Sequence, residues 1–414
     1  MSVPPGTDRP LDDASRRAGE LDAADPLREY RQLFVQHADV VAYLDGNSLG
    51  RPLLATRDTV RTFIDETWGG RLIRAWDEQW MNAPTQLGDT IGRVALGAAP
   101  GQTVVADSTT VLLYKLARAA LAARPSRREL VVDDENFPTD RFVVEGIAAE
   151  LGLTVRRISP DPFRGVTGEH VRSAVGPDTA LVLLSHIAYK SGYIADMSTI
   201  TAAAHEAGAL VLWDLSHSVG AVDVQLDAAN ADLAVGCTYK YLNGGPGAPA
   251  FGYVAHRLHG VARQPIQGWM GAADPFGMTE SYEPAQGVRQ FISGTPPIVG
   301  MLPMRDMLQV IEKADIREVR RKSLLLTQFV LDYADAHLAP LGVTLASPRE
   351  DEFRGGHVTL EHPKAREMTA ELWRSGVIPD FRPPSGIRIG ISPLSTSFAE
   401  LVSGLAAIRA LSER

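Results

Sequence analysis

A single cysteine, Cys237, stands among 414 residues. That excludes an intrachain disulfide and any cysteine-built metal cluster, and it fits a reducing compartment. Nowhere does an apolar run approach the roughly 18 residues a membrane-spanning helix needs. Excess positive charge is missing too. The formal net charge of -9 argues against nucleic acid or an anionic membrane as the main partner, and for a small-molecule ligand. The opening stretch MSVPPGTDRPLDDASRRAGELDAADPL has charges and prolines but no apolar core of the kind an export signal requires. The expectation is a cytoplasmic protein.

Three cofactor signatures are also absent. No G-x-G-x-x-G opens a helix after a first strand, which removes the dinucleotide fingerprint. HEAGA at His205 starts like a zinc-protease helix but has Ala209 where the second histidine belongs. GGPGAP lacks the Lys-Ser/Thr of a phosphate loop. Neither a nucleotide nor a resident metal is expected.

What remains is an ordinary globular balance, 45% apolar and 22% charged, in a chain long enough for two domains. The first dozen residues read as a loose tail, and Ala14 to about Gln36 mixes charged and apolar residues at helical spacing. Thr56 to Glu66 reads the same way. From QTVVADSTTVLLYKLARAALAA onward, short apolar runs alternate with amphipathic stretches: ELVVDD, LTVRRI, TALVLLSHI, ALVLWDL, ADLAVGCTY and PAFGYVA. Such alternation predicts an α/β fold with a mostly parallel mixed sheet sandwiched by helices. Past Gly300 the texture changes to one long helical stretch, Ile311 to His337, then GGHVTLEH, a helix, and IRIGISPL. This predicts a smaller α+β domain, made of residues 1–55 and 301–414, beside a large cofactor-binding domain over 56–300.

Ligands of such sheets sit at the carboxyl ends of the strands. There the sequence offers Ser185 and His186, Asp214 and His217, and Tyr239 and Lys240. An acid and a lysine on neighbouring strand ends are compatible with a plain buried ion pair. The turn Asp107 to Thr110 tips the balance, because hydroxyls and free backbone N–H groups at a helix start suit a phosphate. Phosphate, acid and lysine together suggest pyridoxal phosphate. Its aldehyde would condense with the amine, and the acid would keep its ring nitrogen protonated.

Seven ordered blocks then carry a family resemblance: YLDGNSLGRP, WGGRLIRAW, NFPTD, WDLSHSVGAV, CTYKYLNGGPGAPAF, QPIQGW and SGTPPI. From about Asp22 to its end the chain resembles the kynureninase family, pyridoxal-phosphate hydrolases of aminotransferase fold type I. The resemblance implies that Lys240 holds the cofactor and then moves the substrate Cα proton, that Asp214 pairs with the ring nitrogen, and that Phe137 stacks on the ring with Asp140 nearby. It makes Thr109, Thr110, Ser185, His217 and Tyr239 a phosphate cradle, with Trp269 and Thr295 reaching in from a second subunit of a homodimer. Arg388 would grip the substrate α-carboxylate, while Trp76, Asn47 and Ser48 face the substrate. Tyr239 would return a proton as the Cβ–Cγ bond of a kynurenine is cut to anthranilate and alanine.

Departures from the family pattern gather on the substrate side: Met270, Ala272, Leu112, Ala188 and Ser395. They leave open the same cofactor machinery acting as a lyase of altered specificity, for instance in β-elimination from a cysteine S-conjugate within a biosynthetic pathway. A binding protein without catalysis is a third reading, against which the intact Asp214, Tyr239 and Lys240 argue.

Overall fold

The computed structural model describes residues 9–414. Of the tail expected over the first dozen residues, 1–8 lie outside the described residues, whereas the helix α1 (Arg9–Ala24) already includes residue 9. Its apolar stripe explains the early start: Ala18 is fully buried, and Ala14 and Leu21 pack on the core beneath the last helix, α2 (Phe398–Ser412). The helical spacing read on to Gln36 ends sooner, since only a 3-10 segment, Arg28–Leu33, follows α1.

Seven strands make the large sheet: β1 (Thr103–Ala106), β2 (Glu129–Asp133), β3 (Thr154–Ile158), β4 (Thr179–Ser185), β5 (Leu210–Asp214), β6 (Leu233–Gly236) and β7 (Ala250–Val254), in spatial order β1-β7-β6-β5-β4-β2-β3. Every pairing is parallel except the two made by β7. Side chains alternate between faces, as strand geometry demands. Val105, Val131, Val182, Leu184, Val211 and Trp213 belong to one buried cluster, and Val104, Leu130, Val132, Leu183, Leu212 and Val235 to another. Both faces are covered, so the runs read as continuously apolar. Each such fully buried aliphatic side chain contributes about 1.5–3 kcal/mol relative to exposure.

A second sheet, antiparallel throughout, has β8 (Thr344–Leu345), β9 (His357–Glu361), β10 (Asp380–Arg382) and β11 (Gly386–Gly390) in the order β10-β11-β9-β8. Val358, Leu360, Ile387 and Ile389 share a third core with Phe398, Leu401 and Leu405 of α2. Residues Ala42–Tyr43 pair with Val377–Ile378, and Asp45 bridges to Gly390, which brings the turn at 45–50 to the end of β11.

The single helix expected from Ile311 to His337 is two. α3 (Ile298–Ala314) and α4 (Ile316–Tyr333) meet at Asp315, whose φ of 64° cannot continue a helix. Its carboxylate instead caps the second helix, accepting from the Arg317 N–H at 2.9 Å. Met304, Met307 and Leu308 of α3 lie in a core of the large sheet, whereas Leu326, Phe329 and Val330 of α4 lie in the third core.

Candidate active site

Because β1 and β6 both run antiparallel to β7, β1 points the same way as the parallel strands. The carboxyl ends of β1, β6, β5, β4 and β2 therefore share one edge. Thr109 and Thr110 open the helix after β1, capped by Ser108, which accepts from the Val111 N–H at 3.4 Å. Lys240 lies beyond β6, Asp214 ends β5, and Ser185 ends β4 directly beside it in register. Beyond β2, Phe137 occupies the cap position of the helix Pro138–Leu151, whose first turn carries Asp140.

Lys240 Nζ lies 3.0 Å from His217 Nε2. If Lys240 donates, the proton of a neutral His217 sits on Nδ1, which is buried without a partner. The ring of His357 lies 5.4 Å from that of His217, and neither of its nitrogens has a partner. Burial holds both imidazoles well below the ordinary histidine range, helped by Lys240 at His217 and by Arg388 at His357. Two neutral rings thus floor the lysine.

Asp214 is buried and accepts from the Ser216 N–H at 2.8 Å. Asp140 is buried against it, with Oδ2 facing no donor. Burial first and the Asp214 charge second drive the Asp140 carboxyl far above the usual range. Burial also pushes Asp133, at the end of β2, up to about 7. Between the ordinary carboxyl range and that value the folded chain binds a proton that the unfolded chain has released, so ionised Asp133 opposes folding above about pH 7. Asp133→Asn should therefore raise stability by about 1–2 kcal/mol near pH 8, and the gain should vanish near pH 4. Denaturant melts at the two pH values check this, and equal gains at both would remove ionisation as the cause.

Arg388, on β11, is 1% exposed, and four of its five N–H donors are engaged. Its Nη1 donates to the Tyr189 carbonyl at 2.7 Å, and its Nη2 to Ser48 Oγ at 2.8 Å and Asp380 Oδ2 at 2.6 Å. With the Asn47 amide turned so that its oxygen faces the guanidinium, Nε donates to it at 3.1 Å. Burial lowers Arg388 to about 10, and burial raises nearby Asp45 to about 6. The turn carrying Asn47 and Ser48 closes directly on the lysine: Gly50 N–H donates to the Tyr239 carbonyl at 2.8 Å, and a Cβ at Gly50 would run into the Lys240 carbonyl oxygen. Gly50→Ala must displace the Lys240 backbone, and a displacement of ångström scale costs about 10–100-fold in kcat. Steady-state kinetics on a variant with an unaltered circular dichroism spectrum test it, and an unchanged kcat would refute the contact.

The other sequence candidates spread outward from this centre. Ser185 Oγ donates to Asn136 Oδ1 at 2.6 Å, and the same oxygen accepts from the Phe137 N–H at 2.8 Å, so Asn136 fastens the Phe137 turn to β4. The Phe137 ring meets that of Tyr189 edge-on at 5.4 Å. Tyr239 is half-buried against Cys237, and burial keeps its phenol protonated. Trp76 packs edge-on against Trp80 at 5.2 Å and borders a core of the large sheet. Trp269 and Thr295 are exposed on adjoining segments, and among the described residues neither hydrogen-bonds to the Lys240 cluster. Their segment is nonetheless tied to the helix start at Thr109: buried Lys115 pairs with Asp107 and donates to the Phe291 carbonyl at 2.8 Å. Of the departures, Met270 and Leu112 are buried in the core and Ala188 borders it, Ala272 is half-buried, and Ser395 is buried with an unpartnered Oγ.

Sequence reasoning passed over His357, Asp380, Arg382, Asn136 and Tyr189. For two of them a signal exists. The Pro-Pro-Ser turn between DFR and GIRIG marks a hairpin, and its register sets Asp380 opposite Arg388.

The residues present fit pyridoxal phosphate. The lysine amine has an uncharged neighbour, a buried carboxyl pair is available to a ring nitrogen, and a helix start with free hydroxyls suits a phosphate. Among the described residues no cluster of metal ligands occurs, and no helix is long and apolar enough to cross a membrane.

Comparison with known proteins gives the family and the fold. The Kynureninase C-terminal domain family model matches residues 319–408. A kynureninase of Pseudomonas fluorescens is 41% identical over 388 residues, 92% of this chain and 91% of that protein. One from Burkholderia pseudomallei (strain 1106a) is 39% identical over 395 residues, 94% and 93% of the two chains. Among solved structures, the apo cysteine desulfurase of Thermococcus onnurineus NA1 superposes with a TM-score of 0.80 at 17% identity, covering 93% of this chain and 98% of that one. A C-DES variant with glycine covalently linked to its PLP cofactor also scores 0.80 at 17% identity, covering 92% and 98%. At that identity the two structures speak for the fold, which is that of the fold type I enzymes.

Proposed function

The chain belongs to the kynureninase family, and from that premise we infer that it is a pyridoxal-phosphate-dependent hydrolase cutting the Cβ–Cγ bond of L-kynurenine. Water and the substrate give anthranilate and L-alanine: hydroxide goes to Cγ, and a proton goes to Cβ. The observation that carries the reading is the crowding of Lys240, neutral His217 and the Asp140–Asp214 pair at one sheet edge, with Arg388 beside the turn that closes on Lys240.

Pyridoxal phosphate, when bound, supplies an aldehyde that condenses with amines and a ring that draws electrons from the bonds of the attached amino acid. Lys240 would hold it through Nζ, Asp214 would face the ring nitrogen with Asp140 behind, and Phe137 would cover the ring. Thr109, Thr110, Ser185, His217 and Tyr239 would receive the phosphate. Ser185 would have to turn from Asn136 to do so. Lys240 Nζ would also be the base for the substrate Cα proton. His217, uncharged, adds no positive charge to oppose protonation of that amine. Arg388, with Ser48 and Asn47 fixing its plane, orients the α-carboxylate, and Trp76 flanks the aryl ring. Tyr239, kept protonated by burial, is suited to give its phenolic proton to Cβ.

The same reading divides the chain into a cofactor-binding unit, 56–300, and a smaller unit, 1–55 with 301–414, that supplies the carboxylate grip. It also makes the protein a cytoplasmic homodimer. Exposed Trp68, Leu72, Ile73, Trp269 and Phe276 support a subunit interface, across which Trp269 and Thr295 would reach the phosphate. The relatives do not favour elimination from a cysteine S-conjugate. Product analysis decides: L-kynurenine should yield anthranilate and alanine in equal amounts, and pyruvate from a cysteine conjugate with no anthranilate would overturn the assignment.

A further inference from the structure

Arg388 is expected to grip an α-carboxylate with two parallel N–H bonds, yet it has too few hydrogens free. A guanidinium carries five N–H donors. In this chain Asn47, Ser48, Asp380 and the Tyr189 carbonyl each take one, which leaves a single hydrogen on Nη1. A forked carboxylate contact needs two donors on one edge. One present partner must therefore give way.

Asp380 is the partner with somewhere to go. The oxygen that accepts from Arg388 Nη2, Oδ2, also lies 2.6 Å from Arg382 Nη2. Arg382 in turn has a buried Nε with no partner, and its guanidinium lies over the Tyr189 ring, 5.7 Å from the centroid. A small turn of the Asp380 carboxylate would give it both Nε and Nη2 of Arg382, a forked pair of its own, while releasing Nη2 of Arg388. Asp380 and Arg388 stand opposite in register on β10 and β11, and Arg382 lies two residues along from Asp380, so all three side chains share one face of the sheet.

We propose that Asp380 is a specificity-determining placeholder: it occupies Arg388 until the substrate α-carboxylate arrives, and then moves wholly onto Arg382. The proposal rests on the assignment of Arg388 as the carboxylate grip. Asp380 keeps a buried cation neutralised between turnovers, and an anion can take its place only because Arg382 offers it a second seat. A neutral ligand group cannot compensate Arg388 for the lost carboxylate, so a carboxamide is discriminated against more strongly than a hydrogen-bond count predicts.

The test uses the holoenzyme with L-kynurenine turnover as readout, and L-alanine and L-alaninamide as competing ligands. Asp380→Asn should tighten L-alanine inhibition about tenfold and leave that by L-alaninamide within about twofold. Arg382→Lys, which keeps the charge but lacks the Nε donor, should weaken L-alanine about tenfold with the same small change for the amide. Parallel shifts of the two ligands in either variant, or no shift for L-alanine in both, would overturn the placeholder. Arg388→Gln separates the premise: it should erase the preference for alanine over alaninamide, and if the preference survives, the grip lies elsewhere and the assignment of Arg388 falls with it. Should Asp380→Asn fail to fold, Arg382→Lys alone decides.

Discussion

Replacing Lys240 by alanine should lower kcat by about 10⁴-fold or more, the largest loss any single change in this chain will produce. Two proposed roles would disappear together: the amine that anchors the cofactor, and the base for the Cα proton. No neighbour substitutes. His217 is 3.0 Å from Nζ but is held neutral and buried, with its reachable nitrogen aimed at the lysine, and the Arg388 guanidinium is a poor base at any physiological pH. The measurement is twofold. Single-turnover rates give the chemical loss, and borohydride treatment followed by peptide mass analysis shows whether cofactor mass still attaches to the peptide containing residue 240. Retained attachment, or a loss under about tenfold, would break the assignment.

Asp214→Asn should be the next most damaging change, at about 10³-fold in kcat. An amide at this position would no longer carry the negative charge proposed to keep a ring nitrogen protonated, and its NH₂, if turned to the Ser216 N–H, would set donor against donor. Asp140→Asn is the contrast. Burial and the Asp214 charge already favour the uncharged form of Asp140, so an asparagine keeps that charge state, and the expected loss is about tenfold or less. Similar losses in the two variants would mean that Asp140 is not the uncharged member of the pair. Stopped-flow kinetics on cofactor-saturated enzyme separate this from a mere fall in cofactor affinity.

The large sheet was legible because each buried strand is a short apolar run and the helices between them have polar faces; β1 through β7 all fall on stretches recognisable in the sequence. Strand-end residues such as Asp214 and Lys240 were legible for the same reason, since position after a strand fixes the edge they face. What the sequence hid was pairing across distance. His357 lies within an unremarkable strand, and only the closeness of β9 to the Lys240 turn brings its ring to His217. Asn136 looks like an ordinary turn residue until Ser185 is found bonded to it. The break at Asp315 was missed because hydrophobic periodicity runs on through a kink, and an aspartate in a left-handed conformation has no compositional signature. Expected partners in Trp269 and Thr295 depend on a second copy of the chain, so no single-chain pattern places them.

That break at Asp315 has a mechanical consequence. One helix is embedded under the sheet that bears Lys240, the next in the core that bears Arg388, and a single left-handed residue joins them end to end. On the roles proposed for Lys240 and Arg388, the nitrogen and the carboxylate of one substrate carbon are held from the two cores that this elbow joins, at a point remote from any bond that breaks.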